Sequence, residues 1–133
     1  ILTRANDEGL TLRERTIMSV KSAARMYLYL HINSHTDNLK SGIECFVSGK
    51  NIDFEKSRRF GDNLLNELET LEGIRVNGIH TSDFYVLSHC SIPAIALELG
   101  YLTSSADYAF ISNDENQELV AERIITAIKK HLE

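Results

Sequence analysis

The chain has 133 residues, 43% of them hydrophobic and 25% charged, and a formal net charge of -5 at pH 7. That size and balance fit one compact domain with its own core, and the acidic charge argues against nucleic-acid binding, which needs a basic face to neutralise phosphates. No apolar run approaches the roughly 20 residues that span a bilayer, and the opening Ile1-Leu2-Thr3-Arg4 is charged too early for a secretory leader.

In chain order, Ile1-Leu2-Thr3-Arg4 reads as the tail of a strand. Thr11-Leu12-Arg13-Glu14 is a capping box, in which the Thr hydroxyl accepts from the Glu amide and the Glu carboxylate reaches back. It predicts a helix with Leu12, Thr16, Val20 and Ala23 or Ala24 on one stripe. Met26 to Ile32 and Ile43 to Val47 are apolar runs suited to buried strands. Asp53 is placed to cap a helix whose Phe60, Leu64, Leu68 and Leu71 recur at helical spacing, with Gly73 as its stop. Asn77-Gly78-Ile79-His80-Thr81 reads as a loop and Phe84 to Leu87 as a short strand. Ile92 to Leu97 reads as another strand, with Pro93 near its start, where a lost ladder donor is tolerated. Asp114 to Gln117 resembles a second capping box, opening a helix with Val120, Ala121, Ile124, Ile128 and Leu132 on one face. Strands apolar on both faces, alternating with amphipathic helices, predict an α/β fold. Its core is a single layer of mostly parallel twisted sheet with helices on both faces.

In such sheets, ligands gather outside the carboxyl ends of the strands. His31 follows the apolar run Tyr27-Leu28-Tyr29-Leu30, and Glu98 follows Ala94-Ile95-Ala96-Leu97. An acid in that position is costly to bury unless it is paired or used. Alone, His31 reads as a hydrogen-bonded strand-end histidine and Glu98 as a carboxylate held by a neighbouring loop. Together they suggest one site, suited equally to a metal or to acid–base steps.

The other candidates have plainer readings. His35 shares a face with His31 only if the segment is helical, and this one reads as strand then loop. His89-Cys90 suggests a thiol dyad, but the base for a thiol usually comes from a distant part of the chain. His80 reads as a loop residue, Arg58-Arg59 as solvated helix surface, and Asp114-Glu115 as acids favoured at a helix N-terminus. Cys45 and Cys90 form no metal or redox pair at short spacing.

Several motifs carry a resemblance in their order and spacing. They are Leu2-Thr3-Arg4 with Asp7, Leu12 and Arg15; Tyr29-Leu30-His31-Ile32-Asn33; Gly42-Ile43-Glu44; Asn77-Gly78-Ile79 with Asp83-Phe84-Tyr85-Val86-Leu87; and Pro93 through Glu98-Leu99-Gly100-Tyr101-Leu102. From Leu2 onward the chain resembles the zinc-dependent N-acetylmuramoyl-L-alanine amidases. The resemblance implies hydrolysis of the amide between N-acetylmuramic acid and L-alanine in peptidoglycan, and a secreted, periplasmic or wall-associated setting. It implies that His31 is a ligand to one zinc ion, Glu98 the general base, and Asn33 a substrate contact. Ile32, Ser88 and Thr103-Ser104-Ser105 depart from the family's usual residues.

The largest departure is an absence. The family's first zinc-ligand His and a ligand Glu precede the segment that begins here, and Glu8 and Glu14 do not match them. Residues 1–133 are therefore expected to form an amidase catalytic domain lacking its N-terminal strand and first metal-ligand segment. The alternative is a metal-deficient relative that binds peptidoglycan or a partner without catalysis. The short stretch from Val47 to Asp53 has no room for the blocking helical insertion of the family's regulated members, which points toward autolysin, sporulation-linked or phage-type enzymes.

Overall fold

The computed structural model describes residues 1–132, so Glu133, the last residue of the expected domain, lies outside the described residues. The elements are α1 (Leu12–Lys21), β1 (Tyr27–Asn33), β2 (Ile43–Val47), α2 (Phe54–Leu68), β3 (Val76–Thr81), α3 (Tyr85–Ser88), β4 (Ala94–Tyr101), α4 (Ser105–Ile111) and α5 (Asp114–Leu132). The strands form one sheet in the order β1-β4-β2-β3. β1 runs parallel to β4 and β2 parallel to β3, while the central pairing of β2 with β4 is antiparallel. The α/β layer is as the sequence predicts, and the sheet is mixed. Strand direction is not written in an apolar run, because a strand buried on both faces has the same pattern either way.

Alternation along the strands divides the core. Ile43, Cys45 and Val47 of β2 and Ile95 and Leu97 of β4 face α2 and α5, whose Phe60, Leu64, Leu68, Val120, Ile124 and Ala127 complete the larger cluster. Tyr27, Ala94 and Ala96 face the opposite side, beneath Val86, Leu87 and Cys90. α1 packs against α3 on this side, where Ser19 Oγ lies 3.3 Å from Cys90 Sγ.

Several sequence expectations are corrected. Residues 1–4 are not strand. The capping box at Thr11 and Glu14 is present, but α1 buries Thr16 and Ser19, leaving Leu12 46% and Val20 52% exposed. The buried hydroxyls are satisfied inside the helix, Thr16 by the Leu12 carbonyl and Ser19 by that of Thr16, so polar residues take the inward face. Asn77 to Thr81 lies in the strand β3, and Tyr85 to Ser88 is a single helical turn. A glycine in a polar context argued for a loop, but an edge strand paired on one side alone tolerates both. A short apolar run such as Tyr85-Val86-Leu87 does not declare its period.

Asp53 holds the N-cap position of α2, yet its side chain pairs with Lys56 at 2.7 Å and caps no amide. α2 ends at Leu68, short of Gly73. The start of α5 is capped by Asn113, whose Oδ1 accepts from the Asn116 amide at 3.0 Å, and not by Asp114. The α5 face buries Val120, Ile124 and Ala127, while Ala121 and Leu132 are exposed. α4, absent from the sequence reading, opens on Ser104, whose hydroxyl accepts from the Asp107 amide.

Candidate active site

β4 runs on past the acid that seemed to end it. Glu98 is the fifth residue of eight in β4, and His31 the fifth of seven in β1. The expectation that both close their strands is therefore wrong, but the expectation that they meet holds. They are register partners in the parallel β1–β4 pair, and alternation places both on the side of Tyr27, Ala94 and Ala96. The His31 Nδ1 lies 3.2 Å from the Glu98 Oε2. The imidazole is 53% exposed and the carboxylate 7%, so the acid sits at the floor of the face and the ring stands above it. Tyr29 stacks on the His31 ring with centroids 5.5 Å apart.

Burial pushes the Glu98 carboxyl above the ordinary carboxylate range, more than the neighbouring His31 pulls it down, and the Glu44 charge adds to the rise. A carboxyl that binds its proton more tightly than usual, with an imidazole in hydrogen-bond range, is suited to proton transfer near neutral pH.

A second carboxylate stands beside it. Glu44 is the register partner of Glu98 across the antiparallel β2–β4 pair. Tyr101 donates its hydroxyl to Glu44 Oε2 at 2.9 Å, Asn77 donates Nδ2 to Oε1 at 3.3 Å, and the His80 Nε2 lies 4.0 Å from the same oxygen. Tyr101 would alternate to the opposite face were it not for Gly100, whose φ of +105° turns the strand where the β1–β4 register also shifts. A side chain at Gly100 would be strained by that φ and would meet Asp107 Oδ2 at 3.0 Å. The same Asp107 oxygen accepts from the Gly42 and Tyr101 amides, both at 2.8 Å. It thereby ties the start of β2 to the end of β4. Burial and the Glu44 carboxylate push the Tyr101 phenol up to about 12.

The remaining candidates separate from this group. Asn33 lies beyond the register shift, its Oδ1 accepting from the Ser34 amide at 2.8 Å. His35 Nδ1 accepts from the Asp37 amide within its own turn. His89 stacks on Tyr85 at 4.1 Å and faces Ser88, while Cys90 is buried against Ser19, so they form no dyad. Glu44, His80, Tyr101 and Asp107 were not singled out as site residues from the sequence. Glu44 had a signal, a carboxylate alternating with buried Ile43 and Cys45. Tyr101 and Asp107 had none, because a backbone turn at Gly100 brings them in.

Zinc is the ion the resemblance implies. Imidazole and carboxylate are suitable donors, but a catalytic zinc usually takes three protein ligands. Among the described residues no three His, Cys, Asp or Glu side chains converge to hold a metal. His31 and Glu98 by themselves do not fit a complete zinc centre.

A family model described as N-acetylmuramoyl-L-alanine amidase matches residues 1–130. The chain is 29% identical over 131 residues to the uncharacterized protein YqiI of Bacillus subtilis, spanning 98% of this chain and 63% of that protein. It is 23% identical to the N-acetylmuramoyl-L-alanine amidase LytC of the same organism, covering 93% of this chain and 25% of LytC. It thus spans less than two-thirds of either curated relative. Among solved structures, an N-acetylmuramoyl-L-alanine amidase from Clostridium difficile 630 superposes with a TM-score of 0.90 at 28% identity, over 97% of this chain and 69% of that one. The catalytic domain of CwlV from Bacillus (Paenibacillus) polymyxa var. colistinus gives 0.90 at 26% identity, over 99% and 71%.

Proposed function

Because the chain belongs to the N-acetylmuramoyl-L-alanine amidase family, we propose that it forms the acid–base part of a peptidoglycan hydrolase that cuts the amide between N-acetylmuramic acid and L-alanine. The observation that carries this is the 3.2 Å contact between His31 and a buried Glu98 on one open face. Glu98 is the general base. It takes a proton from the attacking water and passes one to the departing amine, a step for which a raised proton affinity helps. His31 holds the Glu98 carboxylate in place and is the donor this chain offers to zinc. Asn33, at the end of β1, contacts substrate.

Zinc belongs to this reading as the metal the family uses, and one imidazole beside one carboxylate makes a weak site. The 133-residue chain alone is therefore expected to bind zinc weakly. Calorimetric titration tests this, and tight one-to-one binding would contradict it. The setting of the activity is the cell wall, reached by secretion or in the periplasm. Among the described residues no helix is long and apolar enough to cross a membrane.

The small donor set also favours a second reading, a relative that binds peptidoglycan without cutting it. Incubating the full-length protein with purified peptidoglycan separates the two. The amidase releases new L-alanine amino termini. Binding with no release would establish the second reading, and new termini at other residues would indicate a peptidase.

A further inference from the structure

Glu44 is poorly explained as packing. It lies directly across from Glu98 on a shared sheet face, and like charges opposed in that way destabilise a sheet. The ion pairs that reach the two acids are with His31 and His80, and no Lys or Arg among the described residues lies within 4.0 Å of either carboxylate. A glutamine at 44 could accept the Asn77 amide on its oxygen and donate its own amide to the Tyr101 hydroxyl, with Asn77 still held by the Ser41 carbonyl. The fold therefore has no need of the charge.

What the charge does have is a ring to hold. His80 stands on the same face, 47% exposed, its ring tilted 39° to that of Phe46 with centroids 5.5 Å apart, its Nε2 on the Glu44 side at 4.0 Å. The arrangement resembles that of His31 over Glu98 at a longer separation, 4.0 Å against 3.2 Å: a sheltered carboxylate below and an imidazole above it. Glu44 is itself fixed from the other side by Tyr101 and Asn77, and Tyr101 by the Asp107 bond to its amide. The His80 Nε2 is in ion-pair range of Glu44, beyond a direct hydrogen bond; with both ring nitrogens protonated, the Glu44 charge favours the ring's inward orientation and leaves the outer N–H free for a ligand.

We propose that Glu44 and His80 are a second acid–imidazole pair of the site, with His80 in its doubly protonated form donating its outer N–H to a carboxylate or carbonyl oxygen of the stem peptide and Glu44 acting as its positioning residue. The identity of that ligand rests on the amidase reading; the pairing itself does not. This interaction is formed with the substrate before the amide is attacked and persists through the reaction, so its loss falls on KM.

The test uses the zinc-loaded full-length protein. His80→Ala should raise KM for muramoyl-peptide substrate about tenfold and leave kcat within about threefold, as expected for a lost charge-assisted hydrogen bond. Glu44→Gln should shift KM in the same direction, and His80→Gln, which keeps an N–H donor, should recover much of the loss. A merely structural role would not give that split or that rescue. Unchanged KM in His80→Ala, or a loss confined to kcat, overturns the proposal. The same substitution in a Glu98→Gln background, with binding to purified peptidoglycan measured directly, keeps the two claims apart. If the wild type releases no L-alanine termini but His80→Ala still weakens binding about tenfold, the pair stands and the amidase reading falls. If binding is unchanged, the pair falls whatever the activity.

Discussion

At Glu98, the proposed role and stability pull in opposite directions. Burial raises its proton affinity, so folding favours the neutral acid. A carboxyl whose folded pKa is raised contributes stability that is fully present below its unfolded value and is lost as pH rises through the folded value. At neutral pH the ionised acid therefore weakens the fold. Glu98→Gln should melt at a higher temperature than the wild type at pH 7, with the gap closing as pH falls below the carboxylate range. Thermal melts at the two pH values check this, and equal melting at pH 7 would count against it. His31 and Glu98 were legible in the sequence because an ionisable group inside an apolar run demands a reason. Their geometry was not, since the sequence placed them at strand ends and the structure places them within strands, joined by register.

Among the elements, α4 matters to the site out of proportion to its length. Its Asp107 side chain is buried and serves two backbone amides at once. Asp107→Ala would leave the Gly42 and Tyr101 amides buried without partners, at a cost of about 1–3 kcal/mol each, or roughly 2–6 kcal/mol together. Urea denaturation should show that loss, and a change within 0.5 kcal/mol, the range of an ordinary surface substitution, would contradict the clamp. This element was illegible in sequence because Thr103-Ser104-Ser105-Ala106-Asp107 reads equally as a polar loop. What makes it a helix is Ser104 as cap and Phe110 buried in the core. α2 and α5 were legible for the opposite reason, since their apolar spacing persists over several turns. β3 reads as a loop and α3 as a strand in the sequence because each is too short to display its period.

For the whole molecule, helices pack on both faces of the sheet, and the proposed site lies where one of them stays partly open. The α2–α5 side is sealed and apolar, and its one ionisable strand residue, Cys45, is held protonated, its thiol pushed from 9.0 up to about 12 by burial. The Tyr101 phenol is likewise raised from 10.0 to about 12. Both groups stabilise the fold at lower pH, and that contribution is lost as pH rises through the folded values. The protein should therefore lose stability steadily between about pH 9 and 12, and Cys45 should resist thiol reagents until it unfolds. Denaturation midpoints across that range, with reagent uptake followed in parallel, check both expectations. Flat stability, or rapid labelling of Cys45 in the folded state, would contradict them. The α/β class and the family resemblance were legible from motifs in order. The antiparallel centre of the sheet was not, because direction is decided by connections and not by composition.

The most direct test of the account compares wild type with Glu98→Gln in the zinc-loaded full-length protein, following L-alanine amino termini released from purified peptidoglycan. The account predicts release by the wild type and a fall of about 10²-fold or more in the variant, the usual scale for losing a general base, with zinc content unchanged. Release at the wild-type rate by Glu98→Gln would remove Glu98 from the chemistry and contradict the assignment of this site.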